Sequence, residues 1–140
     1  MARTGYLYKL SRVLIGSVVF LNLQAAISFF INPAMYAPRY ELEGLVGQSV
    51  IKGYGVLFLM WNIPYILALY NPIKYKVSLY ESVAMQFVGL IGEAVILWQL
   101  PPGFQTLRHS ILRFIIFDSF GLFALIVAAI LVNKFIKSKV

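Results

Sequence analysis

The chain is 140 residues long, 61% hydrophobic and only 12% charged, with a mean hydropathy of +0.82. That is one domain's length carrying about half the ~25% charge of a soluble domain, so a water-soluble fold would lack polar surface for it. Net charge is +7, with no cysteine and a single histidine, which excludes disulfides, thiolate metal sites, CxxC redox chemistry and a bis-histidine haem within one chain.

Four hydrophobic segments follow in order, 12–31, 50–70, 81–100 and 110–132, each near the ~20 residues that cross a bilayer as a helix. Arg3, Lys9 and Arg12 precede the first. It is longer than the roughly 7–15-residue apolar core of a signal peptide and lacks a small-x-small cleavage site, so it reads as a retained first span. Asn32-Pro33 ends it, Asn71-Pro72 closes the second and Pro101-Pro102-Gly103 stops the third, because proline cannot continue a helix. The longest connection, 32–49, holds Pro33, Pro38, Arg39, Glu41 and Glu43. It also offers Tyr36, Tyr40, Leu42 and Leu45 to an interface, and a structured cap and a plain loop weigh equally here.

The basic residues assign an orientation. Arg3, Lys9, Arg12, Lys74, Lys76, Lys134, Lys137 and Lys139 fall on one side of the spans, and Arg39, Lys52, Arg108 and Arg113 on the other. Under the positive-inside rule this places both termini in the cytoplasm. Tyr6, Tyr8, Tyr36, Tyr40, Tyr70, Tyr75, Tyr80 and Trp98 lie near span ends, as aromatic belts do. The expectation is an all-α, integral membrane four-helix up-down bundle, N-in and C-in, forming a single domain over 1–140 in the inner (plasma) membrane. Basic charge at span ends, with no stacking platform, argues against nucleic acid as a partner. Membrane lipids, other membrane-protein subunits or further copies of the chain are the partners expected.

The third span carries Glu93 well inside it. Placing a carboxylate in hydrocarbon costs roughly 2.5–3.5 kcal/mol on insertion scales, so it needs a partner, a proton or a water-filled cavity. Gln86, Gly89 and Glu93 share one helical face, and the glycines Gly89 and Gly92 allow close approach of another helix. The fourth span offers Asp118 and Gly121, with Asp118 at a depth similar to that of Glu93 by residue counting. Lys52 and Arg113 are the candidate cations, and Asn22 and Gln24 add amides from the first span. Five residues separate Arg113 from Asp118, about 140° around a helix, so their partners should come from neighbouring helices. The cluster reads either as structural contacts between helices or as a ligand or proton site.

Tyr54, Phe58, Trp61 and Tyr65 form an aromatic stripe on the second span, a candidate groove for a quinone ring or lipid tail as well as ordinary packing surface. Asn62-Ile63-Pro64 beside it frees a carbonyl and favours a kink. His109 stands alone at the outer mouth and reads as solvated. No Ser-His-Asp spacing, HExxH, phosphate loop or DxD pair is present, so no catalytic set is recognisable and no metal is expected.

The sequence resembles the DoxX-like superfamily of small four-span bacterial membrane proteins. The resemblance is carried by SRVLIG opening the first span (Arg12, Gly16), NPAMY after it and IKGYGVLFLMW in the second (Gly53, Gly55). It implies association with membrane redox complexes, quinone-linked in some cases. Lys52 stands where an acidic residue is frequent in that group, and no site residue is carried over. Three functions are consistent with these readings: a small non-catalytic accessory subunit of a larger membrane assembly, a quinone- or lipid-binding membrane protein, and a small oligomeric transporter or channel. A quinone is the one cofactor class they admit.

Overall fold

Proline and asparagine set the helix ends, and the apolar runs set which parts pack. In the computed structural model, which describes residues 2–138, α1 spans Ala2–Ile31, α2 Pro33–Tyr36, α3 Gly44–Tyr70, α4 Lys76–Gln99 and α5 Gln105–Lys137, with a 3-10 turn at Ala37–Tyr40. Lys139 and the side chain of Arg3, both counted in the charge asymmetry, lie outside the described residues. Among the described residues there is no strand, and α1, α3, α4 and α5 are each long and apolar enough to cross a membrane.

The ends of α1 and α3 fall at the Asn-Pro pairs, as expected from the sequence. The starts of α3, α4 and α5 come earlier than the apolar runs suggest, at Gly44, Lys76 and Gln105. Hydrophobicity marks the part of a helix that suits hydrocarbon, whereas the helix itself continues through polar residues until something terminates it. Asn71 shows how a tight reversal is made: its Oδ1 accepts from the backbone N–H of Ile73 at 3.2 Å and Lys74 at 3.0 Å, just before α4 begins. α3 runs unbroken through Pro64, and the Asn62 side-chain amide donates to the Phe58 carbonyl at 2.7 Å in the preceding turn.

The long helices alternate in direction, so the chain starts and finishes at one end of the bundle, here the terminal end, opposite the cap end. α1 packs against α3 and α5, and α4 against α5 and more lightly against α3, which leaves α1 and α4 across the diagonal. Gly55 makes the α1–α3 seam close: a Cβ there would sit 2.8 Å from the Ala26 carbonyl oxygen and 3.0 Å from the Phe30 nitrogen.

The interior differs between the two ends. Toward the terminal end, Ile15, Val18, Leu79, Leu125, Ala128 and Val132 form a core at 0–1% exposure. Toward the cap end the core is aromatic, with Phe29 and Ile51 buried and Tyr40, Phe58 and Phe114 packed on them. The 32–43 connection is a structured cap. Pro33 and Ala37 are buried, the Ser110 hydroxyl donates to the Arg39 carbonyl at 2.6 Å, and the Leu107 N–H donates to Glu41 Oε1 at 3.2 Å. Two positive φ angles, 56° at Glu41 and 60° at Gly44, turn the chain from the cap into α3.

Candidate functional site

The polar residues fall into two groups at different depths. The deeper group is a hydrogen-bonded chain across three helices. The Tyr65 hydroxyl of α3 donates to Gln86 Oε1 of α4 at 2.9 Å, and Gln86 Nε2 donates to Asp118 Oδ1 of α5 at 2.7 Å. Tyr65 is 0% and Gln86 4% exposed, so this amide meets both polar neighbours where water does not reach. Glycine makes the approach feasible. A Cβ on Gly89 would lie 2.7 Å from Asp118 Oδ2, and one on Gly121 would lie 2.8 Å from Gln86 Nε2.

The second group surrounds Glu93, which lies one turn nearer the cap end than Gly89, about 6 Å along the axis. Glu93 thus sits about one turn nearer the cap end than the Gly89–Asp118 contact, and the two carboxyl groups remain close enough to act on each other electrostatically. Glu93 lines a cavity of about 350 Å³ with Tyr54, Phe58 and Trp61 of α3, Phe114 and Ile111 of α5, Phe29 of α1 and Tyr40 of the cap. Its Oε2 is buried and has no hydrogen-bond partner. The Phe58 and Phe114 rings are near-parallel, at 5° with centroids 6.1 Å apart, and Phe29 meets both at about 6 Å.

The aromatic stripe thus divides. Tyr54, Phe58 and Trp61 line the cavity, whereas Tyr65 turns its hydroxyl to Gln86 instead. The candidate cations are apart from both carboxylates: among the described residues no carboxylate lies within 4.0 Å of a lysine or arginine nitrogen. Lys52 follows Ile51, whose side chain is buried, and so points outward into the exposed face of α3. Arg113 is turned about 140° from Asp118 and faces α1. Asn22 is buried on α1 but takes no part in the Tyr65–Gln86–Asp118 chain. Gly92, expected inside the bundle, is exposed, and a Cβ there would meet nothing within 4 Å. One residue in from it, Glu93 takes the inward position.

Phe29 and Phe114, which the sequence pattern did not single out, complete the wall with Tyr40. Phe29, Tyr40 and Phe114 separate the Glu93 cavity from a second one, which contains Arg39 and Arg113. Burial, and then the Glu93 carboxylate, push the Tyr40 hydroxyl well above its ordinary value, while Arg113 and Arg39 pull it the other way. Tyr40 stays a neutral phenol, with the Glu93 carboxyl on one side of it and the Arg39 and Arg113 guanidinium groups on the other. No group of three or more His, Cys, Asp or Glu side chains suited to a metal ion occurs among the described residues. Comparison with protein-family models, with curated proteins and with solved structures finds no match to this chain.

Proposed function

We propose that this chain is a multi-pass membrane protein of the DoxX-like kind, with both ends in the cytoplasm, that binds a small amphiphile in the aromatic cavity beside Glu93. It does so without catalysing a reaction of its own. The observation that carries this reading is the orphaned, buried Oε2 of Glu93 in a cavity otherwise walled by aromatic and aliphatic side chains. Ligand sites have this composition, mostly apolar with few polar groups that fix orientation. A quinone suits it. Flat walls such as Phe58 and Phe114 favour an offset-stacked ring. A carboxylate accepts from a quinol O–H when ionised and donates to a quinone carbonyl when protonated, so either oxidation state finds a partner.

The test is the emission of Trp61 in purified protein carrying Trp98→Phe, which removes the other tryptophan. A short-chain quinone should quench Trp61 saturably, and Glu93→Gln should weaken binding by about tenfold, the value of one lost charge-assisted hydrogen bond. Quenching that is linear in quinone, and equal in the variant, would refute the site.

A second reading, a docking subunit of a larger membrane assembly, is supported by α4. Its outward face carries the small residues Ala84 and Gly92, two turns apart, with the apolar Val88 between them, all exposed. Small residues at these two positions, with an apolar one between, suit contact with another helix. Gly92→Leu should then release a copurifying partner or a second copy, read as a drop in mass by light scattering. Unchanged mass would set this reading aside.

A further inference from the structure

On the other side of the Phe29–Tyr40–Phe114 wall lies a cavity of about 240 Å³ between α1, α5 and the cap, and its chemistry is the opposite of the first. Arg39, Arg113 and Gln24 line it together with the hydroxyl-bearing Tyr36, Tyr40 and Ser110, and no carboxylate does. Ser110, at 2% exposure, fixes the Arg39 backbone and meets Arg113: its hydroxyl donates to the Arg39 carbonyl at 2.6 Å and accepts a long contact from Arg113 Nη2 at 3.5 Å. The Arg39 guanidinium is further held over the Tyr36 ring, 5.1 Å from its centroid. Neither guanidinium meets a carboxylate among the described residues. Two positioned forks of N–H donors, both uncompensated, in one concave site are the arrangement that binds phosphate.

The deepest part of the cavity is apolar. Leu21 is one turn below Gln24 on α1, and Phe117 is one turn below Arg113 on α5. A ligand lying here would have its charge at the cap and its apolar part along the α1–α5 seam. We propose that this cavity binds a phosphate-bearing anion through Arg39 and Arg113, its source being the headgroup of an anionic phospholipid whose acyl chain follows that seam. Basic pockets between membrane helices hold such headgroups on the cytoplasmic side, and the same chemistry would serve here on the opposite, cap side. The lipid source rests on the membrane reading, whereas the phosphate chemistry does not, and the site is separate from the Glu93 cavity.

The test is native mass spectrometry of the full chain in neutral detergent, with phosphatidylglycerol, phosphatidylcholine or inorganic phosphate added. Wild type should retain phosphatidylglycerol at least tenfold better than phosphatidylcholine, and the preference should fall with salt. Arg39→Gln with Arg113→Gln should abolish it, and Lys52→Gln, at an exposed basic position outside the cavity, should leave it intact. Retention of inorganic phosphate with the same dependence on the arginines, and no lipid preference, would keep the phosphate chemistry and overturn the lipid source. Should the double variant not fold, the wild-type comparison still decides: equal retention of both lipids with no phosphate bound overturns the proposal.

Discussion

Gln86 and Asp118 each rest on a glycine of the other's helix: Asp118 lies over Gly89, three residues beyond Gln86, and Gln86 lies over Gly121, three residues beyond Asp118. The hydrogen bond between them, at 2.7 Å, is thus seated from both sides. Replacing Gln86 by Leu would leave the Tyr65 hydroxyl and the Asp118 carboxylate without this partner. The expected cost is about 1–3 kcal/mol for each group left unsatisfied, measured as a lower thermal midpoint in detergent. Asp118→Asn keeps an acceptor for Gln86 and should cost less. Equal losses from the two would show that Gln86 contributes only packing.

The glycines should rank by what a methyl group meets. Gly55→Ala meets the backbone of α1 at 2.8 Å and should be the most damaging, at about 1–3 kcal/mol of overpacking. Gly89→Ala and Gly121→Ala meet side-chain ends that can shift, so smaller losses are expected. Gly92→Ala meets nothing within 4 Å and should stabilise the isolated chain by up to ~1 kcal/mol through helix propensity. Thermal unfolding of the four variants checks the order.

Glu93 should behave as a residue kept at the expense of stability. Its Oε2 is buried without a partner, so Glu93→Leu should raise the thermal midpoint of the ligand-free protein while removing quinone binding. A variant that is less stable without ligand would place Glu93 among the structural contacts.

Orientation is open to direct labelling. Single cysteines after Lys76 and at the C-terminus should be shielded from an impermeant thiol reagent in intact cells, and cysteines after Gly44 and Gly103 should be labelled. The absence of native cysteine makes the background clean. Labelling of the C-terminal position would overturn the orientation.

Helix ends were legible because Asn32-Pro33 and Asn71-Pro72 are local signals, while the start of α5 at Gln105 was not, since nothing apolar announces it. Counting residues placed Asp118 at a depth similar to that of Glu93, and the Gly89–Asp118 contact sits about one turn away from it. The aromatic stripe was legible as a face but not as a depth. Tyr65 shares the face of Tyr54 and Trp61, yet it falls where the bundle has closed and is fully buried. The arginine cavity was out of reach for a different reason. Its geometry hangs on Ser110 binding the Arg39 carbonyl across 71 residues of sequence, a tertiary contact that no local pattern reports.

The contrast between the two ends of the bundle bears on what can pass through it. Anything entering between α3 and α4 near the cap meets a floor of Tyr65, Leu79 and Leu125, each at 0% exposure, with Val18 and Val132 at 1% beneath the same roof of aromatic rings. The terminal half of a single chain is therefore closely packed. On the ligand-binding reading proposed above, a molecule held in the Glu93 cavity of a single chain would leave on the cap side or be handed sideways to a neighbour.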